Sequence, residues 1–158
     1  MRLAGAVPQQ FTLHFPDLNS QDVPQALVAD SSGNFFIVAN SQKAFAYAEP
    51  PGAIVEVVNI HITKTDGAGN VLASFDFGGS SIDTPTAAAV DPSGNLVIVG
   101  ITQSSDFPLV APLQTSGRIF ITKLDARLQN ILFSTRFSTG PPAENENATG
   151  VAVASAAT

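Results

Sequence analysis

The side chains that could do chemistry in this chain are few and scattered. His14 and His61 are its two histidines, each inside a strand-like run, Phe11-Thr12-Leu13-His14-Phe15 and Ile60-His61-Ile62-Thr63-Lys64-Thr65-Asp66, rather than spaced as a ligand pair. A packed or interfacial role is expected of His61. Asp30 and Asp91 each stand beside Ser, Gly and Asn. One carboxylate in such a setting falls short of the six to eight oxygens that calcium takes, and capping of a turn is expected instead. Glu144-Asn145-Glu146-Asn147 is a compact acidic loop of the kind that stays solvated, and Asn147-Ala148-Thr149 fits a glycosylation acceptor. There is no glycine-rich phosphate loop, no nucleophile elbow and no Ser-His-Asp order. The sequence therefore predicts no catalytic residue, no metal-ligand set and no cofactor.

Composition narrows the field further. With 158 residues, 44% of them apolar and only 13% charged, the chain is long enough and hydrophobic enough to bury a core. Val, Ile, Phe, Thr, Ser, Gly and Pro recur in short alternating runs, which favours strands and turns over helices. The formal charge is −6 and the seven Lys and Arg are dispersed, so nucleic acid is not an expected partner. No cysteine is present, which removes disulfides and thiolate chemistry without reporting a compartment. No stretch approaches the roughly 18 uninterrupted apolar residues of a spanning helix, so membrane insertion is not expected. The first eight residues, Met1 to Pro8, are too short an apolar run for a signal-peptide core.

The elements that must position these groups are set by an internal repeat. Ala29-Asp30-Ser31-Ser32-Gly33-Asn34-Phe35-Phe36-Ile37-Val38 recurs 61 positions later as Val90-Asp91-Pro92-Ser93-Gly94-Asn95-Leu96-Val97-Ile98-Val99. Ile60-His61-Ile62-Thr63-Lys64 recurs 59 positions later as Ile119-Phe120-Ile121-Thr122-Lys123, and Phe15, Phe77 and Phe137 close three similar segments. One period holds four short strands: Ala87 to Val90, Leu96 to Thr102, Arg118 to Leu124 and Ile131 to Phe137, with Asp91 to Asn95 as a tight hairpin turn. Four antiparallel strands in about 60 residues cannot bury both faces alone, so neighbouring copies must stack. The expected fold is all-β: β-propeller blades, each a four-stranded antiparallel sheet, in a partial propeller of about two full blades plus edge strands. Residues 1–20 would end a preceding blade, with its fourth strand around 11–15. Residues 21–79 and 80–140 would be two blades, and 141–158 would start a third, with its first strand around 149–154.

The string Ala89-Val90-Asp91-Pro92-Ser93-Gly94-Asn95-Leu96-Val97-Ile98-Val99-Gly100-Ile101-Thr102, then Ser105-Asp106-Phe107-Pro108, Phe120-Ile121-Thr122-Lys123-Leu124-Asp125 and Phe133-Ser134-Thr135, resembles the bacterial β-propeller repeat called SBBP. The resemblance is close over 83–140 and looser over 21–79, where the Asp-Phe-Pro element is absent and His61 stands in the place of Phe120. The Asp-x-x-Gly-Asn turn alone is also similar to NHL-type propellers. The resemblance implies a bacterial protein that is secreted or on the cell surface.

In an antiparallel meander the first-to-second and third-to-fourth connections share one face, and the other connections share the opposite one. The short turns make the first face tight, and the second is expected to be loop-rich: Ser41 to Gly52 with Tyr47 and Glu49, Gly78 to Thr86 with Asp83, Gln103 to Gly117 with Asp106 and Phe107, and Gly140 to Ala148 with Glu144 and Glu146. Those side chains are the candidate binding residues, although Phe107 is expected to plug a gap between blades. The expected function is a non-catalytic module that binds a protein or carbohydrate through this face, with further blades supplied by the same longer chain or by other copies. Two alternatives stand beside it: a fragment of a propeller lyase or hydrolase with its catalytic residues in other blades, and a structural spacer.

Overall fold

The computed structural model describes residues 22–48, 53–138 and 146–154, and side chains at 22–42, 57–138 and 146–154. The expected strand at 11–15 lies outside these residues. All regular structure among the described residues is β, in two four-stranded antiparallel sheets. The first is β1 (Val23–Ala29), β2 (Phe35–Ala48), β3 (Ala53–Thr65) and β4 (Val71–Phe77); the second is β5 (Asp83–Val90), β6 (Leu96–Thr102), β7 (Ile119–Leu124) and β8 (Ile131–Phe137). Each sheet is a meander in sequence order. Among the described residues no helix is long and apolar enough to cross a membrane.

The strands are started and stopped by one device. Asp30 accepts hydrogen bonds from the backbone N–H of Ser32 (2.9 Å) and Asn34 (2.9 Å) and from the Asn34 amide (2.8 Å). Asp91 does the same with Ser93 and Asn95, and Asp66 with Ala68 and Asn70. Gly33, Gly69 and Gly94 sit at φ +82°, +89° and +82°, a left-handed conformation that a residue with a Cβ adopts only with strain. Asp66-Gly67-Ala68-Gly69-Asn70 is thus a third copy of the Asp-x-x-Gly-Asn turn. Asp125 anchors a turn one residue longer, with Leu128 at φ +56°. These turns close all the β1–β2, β3–β4, β5–β6 and β7–β8 hairpins at one end of the sheets.

Burial pushes the Asp91 carboxyl up, but the Lys123 ammonium at 2.7 Å, Asn95 and the Ser93 N–H outweigh it and hold the group at about 2, against an ordinary 3.8. Because the folded pKa is depressed, the stabilisation is complete above pH ~4 and is lost as pH falls through about 2. Its size is about 1–2 kcal/mol once solvent screening at the half-exposed Lys123 is allowed for. Urea denaturation of the native protein and of Asp91→Asn should therefore converge as pH is lowered from 4 to 2. Equal acid sensitivity in the two proteins would refute the assignment.

The sheets stack face to face around one apolar core. The first sheet contributes Phe36, Val38, Ile60, Ile62 and Phe77, and the second Leu96, Ile98, Phe120, Leu124, Leu128 and the loop residue Phe107. The ladder registers place Phe36 opposite Lys64, Val38 opposite Ile62 and Ile60 opposite Phe77, so the first set shares one face. Leu96 opposite Leu124 and Gly100 opposite Phe120 fix the second set likewise. In the repeat, Phe36, Val38, Ile60, Ile62 and Phe77 correspond to Val97, Val99, Ile119, Ile121 and Phe137, which lie on the side of the second sheet turned away from the core. The two sheets therefore meet by unlike faces, as successive members of a head-to-tail series do. Lys64 also crosses the interface: its ammonium donates to Ala126 O (2.8 Å), pairs with Asp30 (3.3 Å) and lies 4.7 Å from the Phe36 ring centre.

Three expected boundaries differ. The connection expected at 41–52 is mostly strand, since β2 and β3 continue as a ladder to the pair Ala48–Ala53. No Gly or Pro interrupts either run before Pro50, and Ile54, Val55, Val57 and Val58 are β-branched, so pairing extends until turn residues occur. The first strand of the second sheet begins at Asp83, not Ala87, with a bulge between Pro85 and Ala87 where proline lacks a donor for the ladder. Residues 149–154 form no strand. In both sheets the first strand takes its ladder from the strand that follows it, and no described segment follows Ala154.

Candidate functional site

The densest polar arrangement joins the sheets at the end opposite the tight turns, and the β4–β5 connection 78–82 is its centre. Three successive N–H groups of that connection are taken up by side chains from elsewhere. Gly79 N–H donates to Asp83 Oδ2 (2.6 Å), Ser80 N–H to Asp106 Oδ1 (2.8 Å) and Ser81 N–H to Ser104 Oγ (2.9 Å). Ser80 Oγ adds a bond to Asp106 (3.0 Å), and Ser104 Oγ donates to Asp83 Oδ2 (2.8 Å). The Ser80 N–H and then its hydroxyl hold the Asp106 carboxyl below the usual carboxylate range. The carbonyls of Ser81 and Ile82 accept from Val58 N–H (3.3 Å) and Gln103 N–H (2.9 Å), which ties the connection to β3 on one side and to the β6–β7 loop on the other. Glycine is required at 79, because a Cβ there would overlap Asp106 and Ser104.

The β6–β7 loop, 103–118, is anchored from end to end. Phe107 is 3% exposed; its ring packs 4.8 Å from Phe120 and 5.9 Å from Phe77, so it joins the two sheets. Pro108 O accepts from Ser134 Oγ (2.7 Å), Val110 exchanges both backbone hydrogen bonds with Ser134, and Gln114 does so with the Thr135 hydroxyl. Arg136 donates to Gly117 O (2.9 Å) and Ser104 O (2.8 Å). Between these anchors residues 110–116 stay exposed, Leu113 at 83%. The Val110–Ser134 bridge also covers part of the β8 edge, where open N–H and C=O groups would otherwise recruit another strand.

Of the candidate residues, Asp83, Asp106 and Phe107 are brought together, and all three are engaged in holding backbone or core. Asp83 is 0% exposed and lies in a strand rather than a loop. Tyr47 lies in β2 opposite Ile54, with its side chain outside the described residues. Glu49 and Glu144 also lie outside them. Glu146 accepts a hydrogen bond from Ser138 Oγ (2.8 Å) just beyond β8. Recessed space is found at the other end instead: a cleft of about 230 Å³ between the tight turns is lined by Asp30, Asn34, Lys64, Ser93 and Ala126, among others.

Two features escaped the sequence reading. One is the repeated Asp-x-Pro at Asp22-Val23-Pro24 and Asp83-Thr84-Pro85, each followed by a bulge, which the 61-residue spacing made legible. The other is the partnership of His61. Its Nδ1 lies 2.6 Å from Asp76 Oδ1 and its Nε2 3.1 Å from Thr63 Oγ1. A carboxylate, an imidazole and a hydroxyl in line are the parts of a nucleophilic relay. Here His61 and Thr63 are both buried, and the hydroxyl has no open side for a substrate. The arrangement is a consequence of register: His61 faces Asp76 across the ladder, and Thr63 follows two residues on. Among the described residues no three His, Asp or Glu side chains cluster as a metal-binding group.

A search of protein-family models and a search of curated proteins each return no match for this chain.

Proposed function

We propose that this chain is a pair of β-propeller blades with flanking blade segments, serving as a non-catalytic binding module of an exported bacterial protein that contacts a protein or glycan through its β6–β7 loop. The blade reading is supported by the unlike-face stacking of two sheets with equivalent registers, which continues in either direction without change of geometry. The exported, bacterial setting rests on the SBBP resemblance. The binding reading is carried by one observation: the loop at 103–118 is pinned at six or more points yet holds Val110 and Leu113 in solvent. A loop ordered before binding loses little entropy when it binds, and an exposed aliphatic tip on such a loop has no role in stabilising the fold.

A spacer is the second reading, favoured by the engagement of Asp83, Asp106 and Phe107 in structure. The two are separated by amide-resonance mapping of the protein against a panel of bacterial surface oligosaccharides and extended peptides. Shifts confined to 109–116 that vanish in Leu113→Asp, with stability changed by less than about 0.5 kcal/mol, are expected of the binding module. A loop silent to every probe supports the spacer.

A further inference from the structure

Residues 146–154 have the marks of a first strand without the ladder that a first strand makes. Counted from β5 at a separation of 63, Glu146 stands at the place of Asp83, and Thr149-Gly150-Val151-Ala152-Val153 at the places of Thr86-Ala87-Ala88-Ala89-Val90. Exposure alternates as along an extended chain: 146 and 148 are half-buried and 147 and 149 exposed, then 151 and 153 are half-buried and 150, 152 and 154 exposed. The phase slips between 149 and 150. The bulge of β5, between Pro85 and Ala87, and that of β1, between Pro24 and Ala26, fall at the same place in the repeat. Val151 and Val153 thus hold the positions of Ala88 and Val90, which pack from β5 into the core between the sheets. Glu146 fixes the start of the segment by accepting from Ser138 Oγ just beyond β8. Yet β1 and β5 exchange backbone hydrogen bonds with the strand that follows them, whereas residues 147–154 make no backbone hydrogen bond. The outward side of the second sheet is incomplete as well. Phe36, Ile62 and Phe77 of the first sheet are buried, but their equivalents Val97, Ile121 and Phe137 are only half-buried.

An extended edge with unpaired N–H and C=O groups recruits another strand, and the main-chain bonds supply affinity while alternate side chains supply selection. We infer that residues 150–153 dock an extended segment of a partner protein by antiparallel strand addition, a segment with branched aliphatic side chains at alternate positions. Its chemistry follows from the strands that answer the two equivalent edges. β2 and β6 run antiparallel to β1 and β5, and each carries a bulky apolar pair two residues apart, Phe35 and Ile37 in one and Leu96 and Ile98 in the other. Leu96 and Ile98 are turned toward the first sheet, against which β5 also packs. The repeat sets 150–153 against the second sheet in the same way, and the aliphatic pair of the incoming segment covers Val97, Ile121 and Phe137. In a second copy of this chain the strands of that pattern are already paired within their own sheets, so the occupant is a different polypeptide. This surface is separate from the β6–β7 loop, and its use does not depend on what that loop binds.

The test uses the whole chain, with a peptide copying Asp91–Thr102 and carrying added lysines for solubility as the probe. Amide exchange at 150–153 should slow about tenfold or more when the peptide is added, and the methyl resonances of Val97 and Ile121 should move while those of Leu113 stay in place. The same peptide with Ile98→Asp should do neither. In the protein, Val151→Pro combined with Ala152→Pro should abolish the effect and leave the thermal midpoint unchanged. Adjacent residues of a strand point their N–H groups to opposite edges, so one of the two prolines removes a ladder donor, and neither touches a ladder of the free protein. The inference is overturned if about 1 mM peptide leaves exchange at 150–153 as it was. It is equally overturned if those amides are already protected in the free chain, or if protection rises with protein concentration alone, which would assign the edge to a second copy.

Discussion

Truncating Phe107 to alanine should lower the unfolding free energy by about 3–5 kcal/mol, the cost of a core phenylalanine and not of a loop residue. The ring is 3% exposed and bridges Phe77 of the first sheet and Phe120 of the second, which themselves meet edge-on at 6.3 Å. Removing it opens a cavity at the junction of the sheets, where three rings hold one another and collapse is hindered. Phe120→Ala should cost as much, and the double variant should cost less than the sum by about 0.5–3 kcal/mol, because the first truncation already removes part of what the second would lose. Urea denaturation of the four proteins measures this. A cost below about 1 kcal/mol for Phe107→Ala would mean that the ring is free to meet a ligand, and would return it to the set of binding residues.

Gly100→Ala, the addition of a single methyl group, should destabilise the fold by about 1–3 kcal/mol or more. A Cβ at Gly100 would overlap the carbonyl oxygen of Thr84 and stand 2.7 Å from the Cε1 and Cζ atoms of Phe120. The backbone oxygen cannot yield, since Thr84 lies in β5 paired with Ile101, and the ring is locked in the core. The first sheet offers an internal comparison. Its equivalent of Gly100 is Ala39, which faces His61 across the ladder just as Gly100 faces Phe120. Where the partner is the smaller imidazole, alanine fits; where it is phenylalanine, glycine is needed. Gly100→Ala should therefore be relieved, at least in part, by Phe120→His, and thermal denaturation of the single and double variants would show it. Additive losses would indicate that the Thr84 carbonyl alone sets the cost.

How much of this was legible depends on the range of the interaction concerned. The Asp-x-x-Gly-Asn turns were readable because cap, left-handed glycine and amide partner all lie within five residues, and the aspartates at 30 and 91 do cap turns. The strand cores at Leu96–Thr102 and Ile131–Phe137 follow from β-branched and aromatic runs bounded by turn residues. The extension of β2 and β3 to Ala48 and Ala53 was not read, because a weakly patterned run becomes strand only when a partner of matching length lies beside it. Asp106 and Phe107 lie on the expected connection and Phe107 joins the sheets as expected, but Asp83 and Tyr47 lie in strands and the use of the two aspartates was not foreseen. Asp83 and Asp106 are 23 positions apart, and both reach the 78–82 connection, Asp106 from the β6–β7 loop, which also sends Ser104 to Asp83.

By itself the sequence determined the all-β class, the period near 60, the tight turns and the alternation that gives each sheet two apolar faces. All of these are local, or are repeated at fixed spacing, so one chain displays them without its fold. Only the tertiary structure decided which face meets which, which rings Phe107 packs against, that His61 meets Asp76 and Thr63, and that Asp83 is sealed with one oxygen unanswered. Each of these depends on close packing between segments distant in sequence, where a shift of one residue in register exchanges the buried face for the exposed one.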